Sequence, residues 1–279
     1  NELIQAILLA PVDLLYNGGI GTYVKASHET HAQAGDRASD AFRVDGAQLR
    51  CKVLAEGGNL GCTQNGRIEF AAKGGLIYTD AIDNSAGVDC SDHEVNIKIL
   101  LGGIVEAGDL TTKQRNELLA SMTDDVARLV LADNYYQTQA IDVAVHRAAY
   151  LLDGQQGLMR WLEGAGRLNR ALEFLPTDAE IARRRARQGG LTAPENAVLM
   201  AYAKMSVFDE LMASDLPDDP FFGRSLQAYF PPVLSSRFPA AVAAHPLRRE
   251  IIATHITNTV VNRTGATFVN FLAAEAAGT

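Results

Sequence analysis

The stretch from Lys52 to Asp92, KVLAEGGNLGCTQNGRIEFAAKGGLIYTDAIDNSAGVDCSD, limits what this chain can fold into more than any other. It reads as strand, glycine-rich turn, helix, strand, and a second turn that opens another helix. Lys52-Val53-Leu54-Ala55 stops at Glu56-Gly57-Gly58-Asn59, where paired glycines permit positive φ and leave no Cβ in the way of a ligand. Between Thr63 and Lys73 the apolar residues Ile68, Phe70, Ala71 and Ala72 mark a helix ended by Gly74-Gly75, and Leu76-Ile77-Tyr78 is a second apolar run. Asp83-Asn84-Ser85-Ala86-Gly87 closes that run as Glu56 to Asn59 closed the first. In an open parallel α/β sheet both turns fall at the carboxyl ends of strands, the edge at which ligands bind.

Upstream, the helix-like Leu3 to Leu9 gives way at Pro11 to Val12-Asp13-Leu14-Leu15-Tyr16, a strand that breaks at Asn17-Gly18-Gly19-Ile20-Gly21-Thr22. Gly19-x-Gly21 has two readings. It is an incomplete dinucleotide fingerprint with Val24 where the third glycine belongs, or a glycine-rich loop at the end of a later strand. Residues 24–43 are polar and alanine-rich, a helical or partly irregular crossover. His28 and His31, three apart, have no third ligand at metal-binding spacing and read as a hydrated surface pair. Asp45-Gly46 turns the chain into a strand from Leu49 to Ala55.

After Asp92 glycine-punctuated α/β pattern yields to long helical periodicity. Thr111-Thr112 caps a helix from about Lys113 to Met122, and Thr192 with Glu195 three residues on opens another that runs to Met212. The basic run Arg183 to Arg187 reads most simply as a solvated helix end, with a phosphate or partner contact as the alternative. His146, His245 and His255 show no partner pattern and read as structural or surface residues. A final helix is expected from Glu250 to about Ala274. The pattern is α/β followed by all-α, divided near residue 92: 1–92, then a helical 93–279.

Composition narrows the function. A net charge of −8 leaves no basic footprint for nucleic acid. Cys51, Cys62 and Cys90 form no C-x-x-C pair and are an odd count, which suits a reducing, cytoplasmic setting. No apolar run reaches the roughly 18–20 residues of a membrane span. The chain starts at Asn1 and enters at once on a helix-like segment, so a piece of a longer polypeptide is expected.

The central motifs carry a resemblance. EGGNLGCTQNGRIEFAAKGG followed by TDAIDNSAGVDCS is similar to the cofactor-domain end of the glutamate dehydrogenase superfamily, whose usual forms are E-G-A-N-x-P-T-T-P-E-A and N-A-G-G-V-x-x-S. With DLLYNGGIGTYVKAS ahead of them and DHEVNIKILL behind, the ordered motifs resemble the very large bacterial NAD-specific glutamate dehydrogenases over roughly residues 11 to 101. The resemblance implies a partial Rossmann-like parallel sheet, its later strands, in residues 1–92 and a helical C-terminal domain in 93–279.

It also implies roles. Asn59, flanked by Gly57 and Gly58, falls on the nicotinamide side of NAD; Asn84 matches the asparagine that contacts the nicotinamide ribose or amide; Asn17, Gly18 and Gly19 match a strand-end loop near the cofactor. Ser91 matches the serine that binds a substrate carboxylate, a hydroxyl expected at a helix start, and Val88 the valine beside the substrate side chain. Leu60-Gly61-Cys62 and Ser85-Ala86 depart from the usual motifs and shift the expected contacts. No catalytic residue and no metal ligand is assigned, because the family's lysine and aspartate and its pyrophosphate turn belong to an upstream part of the polypeptide. The implied reaction is oxidative deamination of L-glutamate to 2-oxoglutarate and ammonia by a homo-oligomer, with this piece alone inactive. The alternatives are a non-catalytic regulatory or oligomerisation domain, or an NAD-dependent dehydrogenase of another amino acid. A Cys90/Ser91/His93 nucleophile is disfavoured because sequence neighbours on a helix do not face one another.

Overall fold

A computed structural model describes residues 1–271 of the chain. Its residues gather into two compact units that interleave along the sequence: Asn1–Ser85 with Thr138–Ala203 and the segment from Thr264, and Ala86–Gln137 with Lys204–Arg263. The division expected near residue 92 falls inside a continuous helix.

In chain order the elements are helix α1 (Glu2–Leu8), strands β1 (Leu14–Asn17) and β2 (Val24–Lys25), helix α2 (His31–Ala34), strands β3 (Val44–Asp45) and β4 (Val53–Glu56), and helices α3 (Gln64–Ala72) and α4 (Asp80–Asp83). There follow α5 (Ser85–Glu106), α6 (Thr112–Ser121), α7 (Thr123–His146), α8 (Ala148–Gly164), α9 (Asp178–Ala186), α10 (Ala193–Met212), α11 (Gly223–Tyr229), α12 (Pro232–Arg237), α13 (Pro239–Ala243) and α14 (Arg248–Thr264).

The first unit is built on two parallel strand pairs. β1 pairs with β4 in the register Leu14↔Val53 through Asn17↔Glu56, and β2 pairs with β3. The register places Lys25 opposite Asp45, and the two form a cross-strand ion pair, so a buried lysine keeps its charge partner. Leu54, Val24, Val44, Cys62, Phe70 and Ile77 close a small core between strands and α3. Thr63 caps α3 by accepting from Gly66 N at 3.0 Å, and the helix is terminated by Gly74 at φ 91°, a left-handed position that glycine takes without Cβ strain. Elsewhere in the unit, α8, α9 and α10 bury Leu158, Met159, Leu162, Ile181 and Leu199.

Several local expectations are corrected. Leu76-Ile77-Tyr78 is not a strand: it makes one parallel bridge, Val53↔Leu76, with Leu54 N donating to Leu76 O at 3.0 Å, because Thr79 starts α4 before a ladder can extend. The strand expected from Leu49 is shortened at its start to Val53, and residues 24–43 hold little helix beyond α2. Gly21, at φ 133°, leads into β2 rather than a helix, so Gly19-x-Gly21 is not a dinucleotide fingerprint. The last helix breaks at Gly265, φ 84°, and its expected end lies outside the described residues. With two short two-stranded parallel sheets among the described residues, the molecule is α/β plus helical in the broad sense.

The second unit is helical and its core follows the helical period. Ile97, Leu100, Leu101 and Ile104 on α5 share a core with Leu118 of α6, with Phe230 just past the end of α11, and with Leu234, Val242 and Ile252 of the later helices. His245, 2% exposed, is structural: its Nε2 lies 3.1 Å from Asn96 O and its Nδ1 accepts from Leu247 N. No helix among the described residues is long and apolar enough to cross a membrane.

Candidate functional site

Parallel pairing of β1 with β4 puts their carboxyl ends side by side, and with them the loops Asn17-Gly18-Gly19 and Gly57-Gly58-Asn59. Asn17 O accepts from Gly57 N at 2.9 Å and from Gly58 N at 3.1 Å, while Asn17 Oδ1 accepts from Gly19 N at 3.3 Å. The two loops touch through backbone alone at one point: a Cβ on Gly58 would stand 2.4 Å from Gly19 O. A Cβ on Gly57 would meet the Tyr16 hydroxyl at 1.9 Å. Glycine is needed at Gly58, where backbone meets backbone more closely than any side chain permits, whereas at Gly57 the atom in the way is the movable tip of the exposed Tyr16 side chain.

Asn84 reaches the same edge from the chain that follows Tyr78. It is the C-cap of α4, with φ −100°, and its Nδ2 donates to Asn59 Oδ1 at 3.3 Å. Seven of the expected residues, Asn17, Gly18, Gly19, Gly57, Gly58, Asn59 and Asn84, therefore share one strand-end edge of the first unit.

A buried charge network holds that edge, and motif reading missed it. Glu56, fully buried, accepts from Arg67 Nε at 2.7 Å, Arg67 Nη2 at 2.9 Å and Cys62 N at 3.0 Å. Burial opposes the Arg67 charge, but the Glu56 hydrogen bonds outweigh it and hold the guanidinium firmly protonated. Burial also pushes the Cys62 thiol well up, with the Glu56 carboxylate adding to it, so that cysteine is a neutral core group and not a nucleophile.

The second turn clamps the first through its carboxylates. Asp83 Oδ2 accepts from Glu56 N at 2.8 Å, and Asp80 Oδ2 accepts from Leu60 N at 2.7 Å. That last bond fixes Leu60 at φ 60°, a left-handed position for a non-glycine residue next to Asn59. Burial, with Glu56 and Asp80 nearby, pushes the Asp83 carboxyl up to about 6. The signal for this network was the acidic first letter of EGGN and one arginine in a helix that also carries Gln64, Asn65 and Glu69. Neither has a spacing that marks it.

Val88 and Ser91 stand on α5, the helix that Asn84 precedes, in the part belonging to the second unit. Both are exposed, with Val88 at 70%. Ser91 is not at the helix start as expected. It lies in the second turn and its Oγ donates to Gly87 O at 3.3 Å, so its own backbone N–H is not a free anion donor.

The ordered motifs extend to whole-chain likeness. A family model described as "Bacterial NAD-glutamate dehydrogenase, catalytic domain" matches residues 1–144, and one described as "Glutamate dehydrogenase, C-terminal" matches residues 188–279. The chain belongs to the bacterial NAD-glutamate dehydrogenase family. It is 55% identical over 271 residues to an NAD-specific glutamate dehydrogenase of Pseudomonas aeruginosa, an alignment covering 97% of this chain and 17% of that protein. Proteins of the same description from Halomonas elongata and Mycobacterium tuberculosis are 52% and 51% identical, with 98% and 96% of this chain covered and 17% and 16% of theirs. The chain thus spans about a sixth of the length of these relatives.

Within this member of the family, the other sequence candidates have ordinary partners. His28 and His31 are both exposed, and His31 Nδ1 sits 2.9 Å from Arg43 Nη1. Three arginines of the basic run are ion-paired: Arg184 to Glu195 at 2.7 Å, Arg183 to Glu180 at 2.5 Å, and Arg185 to Asp153. The cysteines are free.

Proposed function

We propose that this chain is the part of an NAD-dependent glutamate dehydrogenase that presents the nicotinamide and the amino acid to one another. One observation carries the reading: parallel strand ends bring Asn17–Gly19 and Gly57–Asn59 together, with Asn84 bonded to Asn59. The bond from Asn84 Nδ2 to Asn59 Oδ1 leaves Asn59 Nδ2 as a donor and Asn84 Oδ1 as an acceptor, the complement of a carboxamide. The residues present therefore fit the nicotinamide end of the cofactor.

Bound there, NAD supplies the hydride acceptor for Cα of L-glutamate, whose imine is hydrolysed to 2-oxoglutarate and ammonia. Asn59 and Asn84 orient the carboxamide, and Gly18, Gly19, Gly57 and Gly58 keep side chains out of its way. Ser91 donates its hydroxyl to a substrate carboxylate, and Val88 packs beside the substrate side chain. These groups align and exclude, a contribution made by positioning and not by proton transfer. The lysine and aspartate that the chemistry requires come from another part of the polypeptide. The same reading takes residues 1–92 as the later part of a Rossmann-like dinucleotide domain, 93–279 as a helical C-terminal domain, and the intact enzyme as a cytoplasmic homo-oligomer.

Calorimetric titration of the complete enzyme with NAD tests the proposal. Asn59→Ala and Asn84→Ala are expected to weaken binding by about tenfold each, the equivalent of one hydrogen bond to the ligand at roughly 1.4 kcal/mol. Unchanged affinity in both variants, with unaltered circular dichroism, would overturn it in favour of a non-catalytic role.

A further inference from the structure

The second unit holds a cluster outside this edge. Asp89 and His93, one turn apart on α5, face Asp133 of α7, and one ligand-type atom from each lies within 4.8 Å of the others. Helical spacing puts Asp89, His93 and Asn96 on one face of α5, and Val88, Ser91 and Val95 on another. The cluster is thus separate from the substrate-facing stripe.

Its defining feature is an unsatisfied histidine. His93 is 2% exposed, its ring stacks on Tyr229 at 4.3 Å, and its Nδ1 has no hydrogen-bond partner. Its Nε2 faces Asp89 Oδ1 at 3.9 Å, too long for a hydrogen bond, and Asp89 Oδ2 is buried without a partner as well. Buried polar atoms rarely stay unpaired. Neighbouring groups have their needs met elsewhere: Asp92 Oδ2 accepts from the Tyr229 hydroxyl at 2.6 Å, and Lys204 donates to Gln137 Oε1 at 2.7 Å.

We propose that Asp89, His93 and Asp133 form a binding site for a divalent cation of the zinc class. An imidazole and two carboxylates are the mixed donor set that suits zinc or cobalt, whereas a hard cation such as calcium takes oxygen alone. Three ligands around one tetrahedral ion at about 2.1 Å stand roughly 3.4 Å apart, so the observed spacing closes with small side-chain movements. Tyr229 fixes the ring plane, exposed Asp133 gives the ion a path from solvent, and the fourth position is left to water. Occupation would tie α5 to α7.

Cobalt(II) is the probe, because tetrahedral coordination gives a visible ligand-field band that adventitious surface binding does not. The 279-residue chain carrying Cys90→Ser, which removes the exposed thiol, is titrated with Co2+ and then Zn2+. One Co2+ per chain, with a visible band displaced by Zn2+, is expected. His93→Gln and Asp133→Asn should each abolish the band and weaken binding by more than the roughly 10–100-fold that loss of an outer-shell partner costs. Asp133 is on the surface, so its variant keeps the test interpretable if the His93 substitution impairs folding. Absence of a band, or uptake unchanged in Asp133→Asn, would overturn the proposal.

Discussion

The Glu56–Arg67 network and the Asp89–His93–Asp133 cluster are both groups of titratable side chains built around a buried member, Glu56 in one and His93 in the other, and they are completed in opposite ways. Around Glu56 both carboxylate oxygens are taken, by the guanidinium and by a backbone N–H, and Asp80 and Asp83 spend their oxygens on the turn beside Asn59. Around His93 the ring Nδ1 and Asp89 Oδ2 have no partner. A closed network fixes backbone, which is what a turn presenting two amides requires. An open one stores an unmet electrostatic demand that a ligand can meet.

The largest effect should come from opening the closed network. Arg67→Ala leaves a carboxylate with no exposed surface beside the loss of its only bidentate partner, and is expected to cost about 3–5 kcal/mol in a denaturant titration. The double variant Glu56→Gln with Arg67→Met removes both charges and should recover most of that loss. If Arg67→Ala costs less than about 1 kcal/mol, the network does not hold the edge and the contrast between the clusters fails.

Next in size is the backbone contact that the network supports. Gly58→Ala would set a methyl against Gly19 O at 2.4 Å, with no flexible side chain to yield, so the two loops must part. Overpacking of this kind costs about 1–3 kcal/mol, and NAD affinity in the complete enzyme should fall with it. An alanine variant of native stability and affinity would show that the loops are free to separate.

How much of this could be read from sequence differs between the two clusters for one reason. Local signals survived: Thr63 and Gly74 bracket α3, Thr111 caps α6, and Thr192 with Glu195 opens α10. Glycines at the β1 and β4 ends were legible because turns announce themselves in residue type. Glu56 was not, since a charged residue at a strand end normally means solvent, and its partner lies eleven residues on with no periodic spacing. The reduction of the expected strand at Leu76 to a single bridge and the interleaving of the two units along the sequence depend on pairing and packing choices that no single segment encodes. At the second cluster, Asp89 and His93 have the i,i+4 spacing of a shared helix face, but Asp133 comes from another helix, and only the fold adds it.

The same contrast predicts a small effect where the open cluster is disturbed. In metal-free protein His93→Phe keeps the stack on Tyr229 and removes a buried nitrogen that nothing satisfies. Stability should change by less than about 1 kcal/mol, or rise, because deleting an unsatisfied polar atom is close to neutral or favourable. A loss as large as that of Arg67→Ala would mean that the ring has partners in solution that complete the cluster.

The last expected effect is a slope with pH. Burial raises the Asp83 carboxyl from 3.8 to about 6, with Glu56 and Asp80 adding to it, so between those values the folded chain binds more protons than the unfolded one. Stability contributed by this group is therefore present below pH 3.8 and lost as pH rises through about 6. Other carboxylates that are paired in the fold pull the other way, so the informative quantity is a difference between two proteins. Asp83→Asn keeps an oxygen to accept from Glu56 N but cannot titrate. Denaturation curves collected from pH 4 to 7 should show the variant gaining on the parent as pH rises, the gap levelling above about 6. A gap that stays flat across that window would mean that Asp83 is ionised at ordinary strength, and that the clamp between the two turns is a solvated surface contact instead of part of the closed network.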